Sequence, residues 1–226
     1  GAFVSLVLSI IVFFSYNQAA AAVDPAMQYQ FTEQFDWVPS LGISYHVGGD
    51  GISLVMTLLT GIVGLMGVII SWGIKDRPRE FFAFFMFLVA GVFGVFVSLD
   101  LFLLLFFYEL SIFPMYFLIA NWGSTRKEYA AMKLTLYLLI GSIIAMIGIL
   151  AVYFSADPVA MGLNPGERTF DMLLLMKGNI PLDVQRFWFL PIFIGFGVLA
   201  GIWPFHNWSP DGHVAAPTAV SMIHAG

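Results

Sequence analysis

The sequence contains no cysteine and few charged residues, and each scarcity excludes a class of protein. Without cysteine, the chain cannot form a disulfide framework or thiolate-ligated iron–sulfur and zinc sites. Only 10% of its 226 residues are charged, against about 25% in soluble proteins. The net charge of -5 argues against a nucleic-acid partner, which would demand a basic surface. The sequence also lacks a phosphate-cradling glycine loop, a nucleophile elbow and paired metal ligands on one helix.

Apolar residues are abundant instead, because 60% of the chain is hydrophobic and its mean hydropathy is +0.90. A soluble fold could not bury this much apolar surface, so we expect the surrounding solvent to be lipid. The first residues include neither an initiating Met nor a basic segment, and the last residues stop soon after a helix pattern begins. We therefore expect a piece of a longer membrane protein.

Long apolar stretches predict the membrane-crossing helices, since one crossing needs about 20 mostly apolar residues. The whole chain, 1–226, is predicted to form a single transmembrane domain. The predicted complete spans are 52–73, 81–99, 100–121, 129–154 and 187–208, the last broken near Pro204, and the predicted partial spans are 1–16 and 214–226.

Basic residues in the short loops predict the orientation of these spans. They are Lys75, Arg77, Arg79, Arg126 and Lys127. Two spans separate the two basic loops, so both loops are expected on the cytoplasmic side. The 17–50 loop contains acids and no Lys or Arg, and it is expected outside together with the loop 155–186.

One acid, Glu109, lies within the apolar segment LFLLLFFYELSIFPMYFLIA, residues 101–120. A charge at membrane depth costs about 2.5–3.5 kcal/mol or more, so such an acid is a functional candidate. Its side chain is too short to reach either membrane surface. Glu109 is therefore either a protonated, hydrogen-bonded structural acid or a proton-binding site.

Lys133 is a second candidate, about one turn inside the next predicted span. Its ammonium group either extends to the interface beside Arg126 and Lys127 or takes part in proton transfer. The depths of Lys133 and Glu109 differ by about 12 Å on antiparallel helices, so a direct ion pair does not follow from the sequence.

Three histidines accompany a predicted break in the last complete span, LAGIWPFHNWSPDGHVAAPTAV. Pro204 removes a helical hydrogen bond, and broken helices at membrane depth line cavities in transporters. His206 and His213 lie near this break and His224 lies in the following helix, and an unperturbed imidazole titrates near neutral pH. Each is either a proton-relay group or an interfacial histidine, and their spacing does not fit a metal site.

Four stretches of the sequence resemble the antiporter-like (Mrp-type) family of energy-converting membrane complexes. The chain is most similar to its subunit M (chain 4) type, found in proton-pumping NADH:quinone oxidoreductase, respiratory complex I. The stretches are WVPSLGISYHVGGDGIS at 37–53, FFYELSIFPMYFLIANWG at 106–123, RKEYAAMKLTLYLLIGS at 126–142 and WPFHNWSPDGHVAAPTA at 203–219.

The resemblance implies an all-α polytopic membrane protein, an antiporter-like helix bundle with a discontinuous helix at about 187–213. Family members are about twice as long, so the chain would cover most of the first of two inverted repeats. It implies that the chain helps to pump protons, driven by quinone reduction elsewhere in the complex. Glu109 matches the family's essential glutamate, Lys133 its sixth-helix lysine and the IWPFH segment its discontinuous helix.

The resemblance also implies partners and a location. The expected partners are the L-type and N-type antiporter-like subunits and the lipid bilayer, and the expected location is a bacterial cytoplasmic membrane. No flavin, iron–sulfur cluster or nucleotide site is expected in this chain, because flavin, iron–sulfur clusters and quinone are expected in other subunits.

Two positions depart from the family pattern. Leu199 stands where the family usually has a lysine, at about the same depth as Glu109. A lysine introduced at 199 is therefore expected to be tolerated, since a carboxylate is near. At the position of His224, many M-type chains have an aliphatic residue, whereas L-type and Mrp-type chains have a histidine at a similar place. A Na⁺/H⁺ antiporter subunit, the equivalent chain of a membrane-bound hydrogenase and a structural membrane scaffold therefore stay open as alternatives.

Overall fold

The fold is mostly helical in this computed structural model, which describes residues 1–18, 21 and 28–225. Within those residues, helices α1 to α9 are Ala2–Ser15, Gly51–Ile70, Pro78–Val97, Leu101–Trp122, Lys127–Ser155, Met172–Leu175, Leu182–Leu199, Trp208–Ala215 and Thr218–Ala225. Strands β1 and β2 are Gln30–Val38 and Ile43–Gly49, joined by a 3-10 turn at Pro39–Leu41.

Five helices, namely α2, α3, α4, α5 and α7, are long and apolar enough to cross a membrane. The expected helical membrane bundle is thereby confirmed. Helix α7 begins and ends earlier than the predicted span 187–208, because Pro181 precedes its first residue and the backbone turns away from helical geometry after Leu199. The partial span predicted at 1–16 corresponds to α1.

The discontinuous helix predicted at about 187–213 is the pair α7 and α8, interrupted at 200–207. Gly201 adopts a positive φ of 70°, a conformation that glycine accepts without steric cost. Pro204 has no backbone N–H to continue the helical ladder. The chain resumes as the short helix α8, which lies against the first turns of α5.

The β-hairpin was not predicted, so the purely α expectation omitted one element. Strands β1 and β2 pair antiparallel, with Glu33 opposite Val47 and Phe35 opposite Tyr45. Strand β1 is largely exposed, whereas β2 is mostly buried against the ends of the helices. Strand β1 does not alternate regularly between apolar and polar residues, so the period-two signal was weak.

The helices enclose one main apolar core. Fully buried residues of α3, α4, α5 and α9 meet there, among them Phe81, Phe85, Leu118, Leu134 and Val220. Small residues allow α5 and α7 to approach closely: a Cβ at position 195 would lie 2.5 Å from the backbone nitrogen of Ala145. This close packing fixes α7, and therefore the start of the break, relative to α5.

A buried polar junction ties the hairpin to the first turn of α4. Asp100, fully buried, accepts hydrogen bonds from the N–H groups of Phe102 and Leu103 and from both the N–H and hydroxyl of Ser44. It is therefore the N-cap of α4 and at the same time an acceptor for β2.

A second buried aspartate, Asp171, lies beside Asp100 in the same junction. Its carboxylate caps α6 through the N–H groups of Leu173 and Leu174 and lies 2.6 Å from Nδ1 of His46. The β2 strand, the start of α4 and the start of α6 are therefore joined through two carboxylates.

We predict that Asp100→Ala lowers the free energy of unfolding by about 2 kcal/mol, because α4 loses its cap and Ser44 loses its acceptor. The measurement is the denaturation midpoint of the full-length protein in detergent micelles. Asp183→Ala, at an exposed acid in the first turn of α7, is the control and should change stability by less than about 0.5 kcal/mol. Equal losses in the two variants would contradict the prediction.

Candidate proton-transfer site

Glu109 lies in the middle of α4 and lines a largely apolar cavity of about 350 Å³ between α4 and α5. Leu105, Ser142 and Met146 line the same cavity. The carboxylate is half-buried, and among the described residues it forms no hydrogen bond or ion pair. The structure therefore leaves this acid without a fixed counter-charge in the described part of the chain.

Lys133 extends to α8, where its Nζ lies 2.7 Å from Oδ2 of Asp211. The lysine side chain is 18% exposed and that of Asp211 is 46% exposed, so the pair is partly shielded from solvent. The Tyr129 ring adds a cation–π contact at 5.8 Å. Lys133 is thus engaged by Asp211 and not by Glu109.

Asp211 was missed in the sequence analysis. It lies in the segment SPDGH, two residues before a histidine that was singled out. A signal was present, because an acid beside a predicted helix break in a strongly apolar chain is a candidate for a cationic partner. The partner is 78 positions away in sequence, so only the folded chain reveals it.

His213 and His224 come together, whereas His206 does not join them. The His213 and His224 rings are 4.4 Å apart in an edge-to-face arrangement. Nδ1 of His213 lies 2.8 Å from the hydroxyl of Ser221, and Nδ1 of His224 lies 3.3 Å from the sulfur of Met115. His206 is exposed in the break between α7 and α8.

Trp208 anchors the start of α8. Its side chain is buried, and its indole N–H donates a 3.1 Å hydrogen bond to the carbonyl of Val198 in the last turn of α7. Its ring also packs 5.2 Å from that of His224. Trp208 therefore joins the end of α7, the start of α8 and the histidine pair.

Leu199 lines a second cavity, of about 280 Å³, together with Tyr108, Ser111 and His224. Tyr108 and Glu109 are consecutive, yet each lines a different cavity, so α4 forms a wall between the two. The Leu199 side chain also lies close to Gly141, the residue that precedes Ser142 of the Glu109 cavity. Leu199 therefore lines the second cavity and packs on α5 one residue before Ser142.

Within residues 1–18, 21 and 28–225, no group of three His, Asp or Glu side chains is arranged to hold a metal ion. The side chains at the site carry carboxylate, ammonium, imidazole and hydroxyl groups, all of which bind and release protons or pass them along hydrogen bonds.

Comparison with known proteins identifies relatives for most of the chain. Residues 98–226 match the family model described as NADH:quinone oxidoreductase/Mrp antiporter, transmembrane. An NAD(P)H-quinone oxidoreductase chain 4 from Picosynechococcus sp. is 37% identical, over 90% of this chain and 36% of its own length. One from Nostoc sp. is 33% identical, over 100% of this chain and 39% of its own length. The chain thus spans less than half the length of these curated relatives.

Solved structures share the fold at lower sequence identity. A chain of respiratory complex I from Thermus thermophilus superposes with a TM-score of 0.79 at 19% identity, covering 97% of this chain and 43% of that one. A chain of the Mrp complex from Dietzia sp. superposes with a TM-score of 0.68 at 19% identity, covering 100% of this chain and 41% of that one. The antiporter-like fold class is thereby confirmed. The chain belongs to the NADH:quinone oxidoreductase/Mrp antiporter transmembrane family.

Proposed function

We propose that this chain is part of a proton-translocating membrane subunit of a quinone-reducing complex, of the chain 4 type. The observation that carries the proposal is Glu109, an acid without a fixed counter-charge in a cavity between two membrane-length helices. The sequence similarity to chain 4 proteins supports the same function.

In this proposal, Glu109 binds a proton when no cation is near and releases it when a cation approaches. A carboxylate in an apolar cavity is costly when charged, so its proton occupancy responds strongly to nearby charge. The other groups of the proposed path are Lys133, His213, His224 and His206. Lys133 acts there with its counter-ion Asp211.

The arrangement of the loops supports the proposed orientation. The indole N–H of Trp122 donates a 2.7 Å hydrogen bond to the carbonyl of Asp76, and Arg77 lies 5.1 Å above the same ring. The two basic loops are therefore adjacent at one end of the bundle. We place this end in the cytoplasm and the hairpin with the 155–186 loop outside.

In this proposal, the redox groups are held by other subunits of the complex. Quinone, flavin and iron–sulfur clusters would be in other subunits, and the neighbours in the bilayer would be L-type and N-type antiporter-like chains. The cyanobacterial relatives suggest a bacterial membrane, which we propose to be the cytoplasmic one.

A Na⁺/H⁺ antiporter subunit is the second candidate function, favoured by the similarity to a chain of the Mrp complex and by His224. Sodium-dependent proton movement without quinone reduction would favour it over the first candidate. A membrane-bound hydrogenase chain would instead co-purify with hydrogenase subunits. A purely structural scaffold would show no water near Glu109 in a high-resolution map.

We predict that Glu109→Gln abolishes coupled proton pumping in the assembled complex, because the amide cannot bind and release a proton. Pumping is measured as protons moved per electron in sealed membrane vesicles. Glu128→Gln is the matched control, since Glu128 is an exposed acid in the first turn of α5. A wild-type ratio in Glu109→Gln would refute the proposed role.

We also predict that Leu199→Lys assembles with near-normal stability, because its ammonium group can extend past Gly141 toward the Glu109 cavity. Leu88→Lys is the control, since Leu88 is fully buried in the main core and lines neither cavity. That control should lower the thermal midpoint of the complex, because an ammonium group buried in an apolar core without a partner costs free energy. Equal destabilisation in the two variants would argue against access of position 199 to Glu109.

A further inference from the structure

Helix α8 presents two ionisable side chains in opposite directions. Asp211 contacts Lys133 of α5, whereas His213 contacts Ser221 and His224 of α9. Two residues two positions apart in a helix point about 200° away from each other. Helix α8 therefore lies between the cation of α5 and the histidine pair, and touches both.

The position of α8 depends on its contacts with the rest of the fold, because a helix of eight residues is not stable alone. Gly212 lies directly on α5, where an added Cβ would come within 2.8 Å of Leu134. At its C-terminal end, the carbonyls of Val214 and Ala215 accept hydrogen bonds from Ser124. At its N-terminal end, α8 is held by Trp208.

The contact between Lys133 and Asp211 differs from these others in being an ion pair. Among the described contacts of α8 it is the only one between opposite full charges. The hydrogen bonds of Ser124 and Trp208 and the packing at Gly212 do not change when a nearby proton arrives or leaves. The ion pair does change, because its attraction is present only while Lys133 is charged and Asp211 is ionised.

We propose that Asp211 is a positioning residue that couples the charge of Lys133 to the geometry of the His213–His224 pair. This inference rests on the proposed proton-translocating function. A charged Lys133 holds Asp211, and with it α8, against α5, and His213 then keeps its contacts with Ser221 and His224. A neutral Lys133 leaves α8 held only by neutral contacts, and the histidine pair loosens.

The groups that face this coupling are few. Asp211 and the tyrosines Tyr129 and Tyr137 face Lys133. Ser221 and His224 face His213. Because Asp211 is the group that joins the two sets, its neutralisation should affect α9, which it does not touch in any described contact.

The test uses the assembled complex and two measurements on Asp211→Asn. The first is the number of protons moved per electron in sealed vesicles, which we expect to fall at least twofold while quinone reduction continues. The second is amide hydrogen exchange of residues 218–225 in the purified complex, which we expect to accelerate at least fivefold. Asp211→Glu keeps the charge and should restore both values toward the wild type, and Glu128→Gln should leave both unchanged.

Two results would overturn the inference: a wild-type proton ratio in Asp211→Asn, or faster exchange that stays confined to residues 208–215. If Asp211→Asn does not assemble, Lys133→Met replaces it for the exchange measurement, since the half-exposed Asp211 tolerates the loss of its partner. Unchanged exchange in α9 would then overturn the inference. Unchanged proton pumping in the Glu109→Gln variant would instead refute the proposed function. The hydrogen-exchange result for Asp211→Asn does not depend on that outcome.

Discussion

The carbonyl of Val198 loses its regular helical partner because α7 ends at Leu199, and the N–H of Gly201 and the indole N–H of Trp208 both donate to it instead. In a bilayer, an unsatisfied backbone group costs several kcal/mol, so a helix can stop at membrane depth only where the protein itself provides donors. Ile202 contributes another, by donating to the carbonyl of Gly197. The rest of the site depends on this repair, since without it α8 would not begin where it does. Asp211 and His213 would then face other neighbours.

Charged side chains, like the backbone groups at the break, are paired with groups of the protein itself. Lys133 forms an ion pair with Asp211. The buried Asp100 accepts hydrogen bonds from backbone N–H groups and the Ser44 hydroxyl, and the buried Asp171 accepts from backbone N–H groups and contacts the His46 imidazole. Glu109 differs from all of them, because the described residues that line its cavity offer one hydroxyl, that of Ser142, and are otherwise apolar. Structural acids in this protein are thus surrounded by donors, whereas the acid in the centre of the bundle is not. That contrast in surroundings sets Glu109 apart from the acids that only stabilise the fold.

The sequence predicted those features that depend on local composition. Apolar runs predicted the long helices, Pro204 predicted the break, and the apolar surroundings of Glu109 identified the acid. Features that depend on distant pairs were not predictable in the same way. The pairing of Lys133 with Asp211 joins two helices separated by three loops, and the meeting of His213 with His224 depends on the turn at 216–217. The hairpin was missed because its first strand is mostly exposed on both faces.

The junction around Asp100 has a consequence for the depth of the central acid. Asp100 fixes the first turn of α4 to the hairpin, and Glu109 follows nine residues later, about 13 Å along the same helix. The contact with the hairpin therefore fixes both the depth of the Glu109 carboxylate along α4 and the direction in which it points. One residue inserted between the two acids would turn Glu109 by about 100°, away from its cavity and toward a neighbouring face of the helix. Insertions and deletions should accordingly fall outside residues 100–109, where they leave this spacing intact.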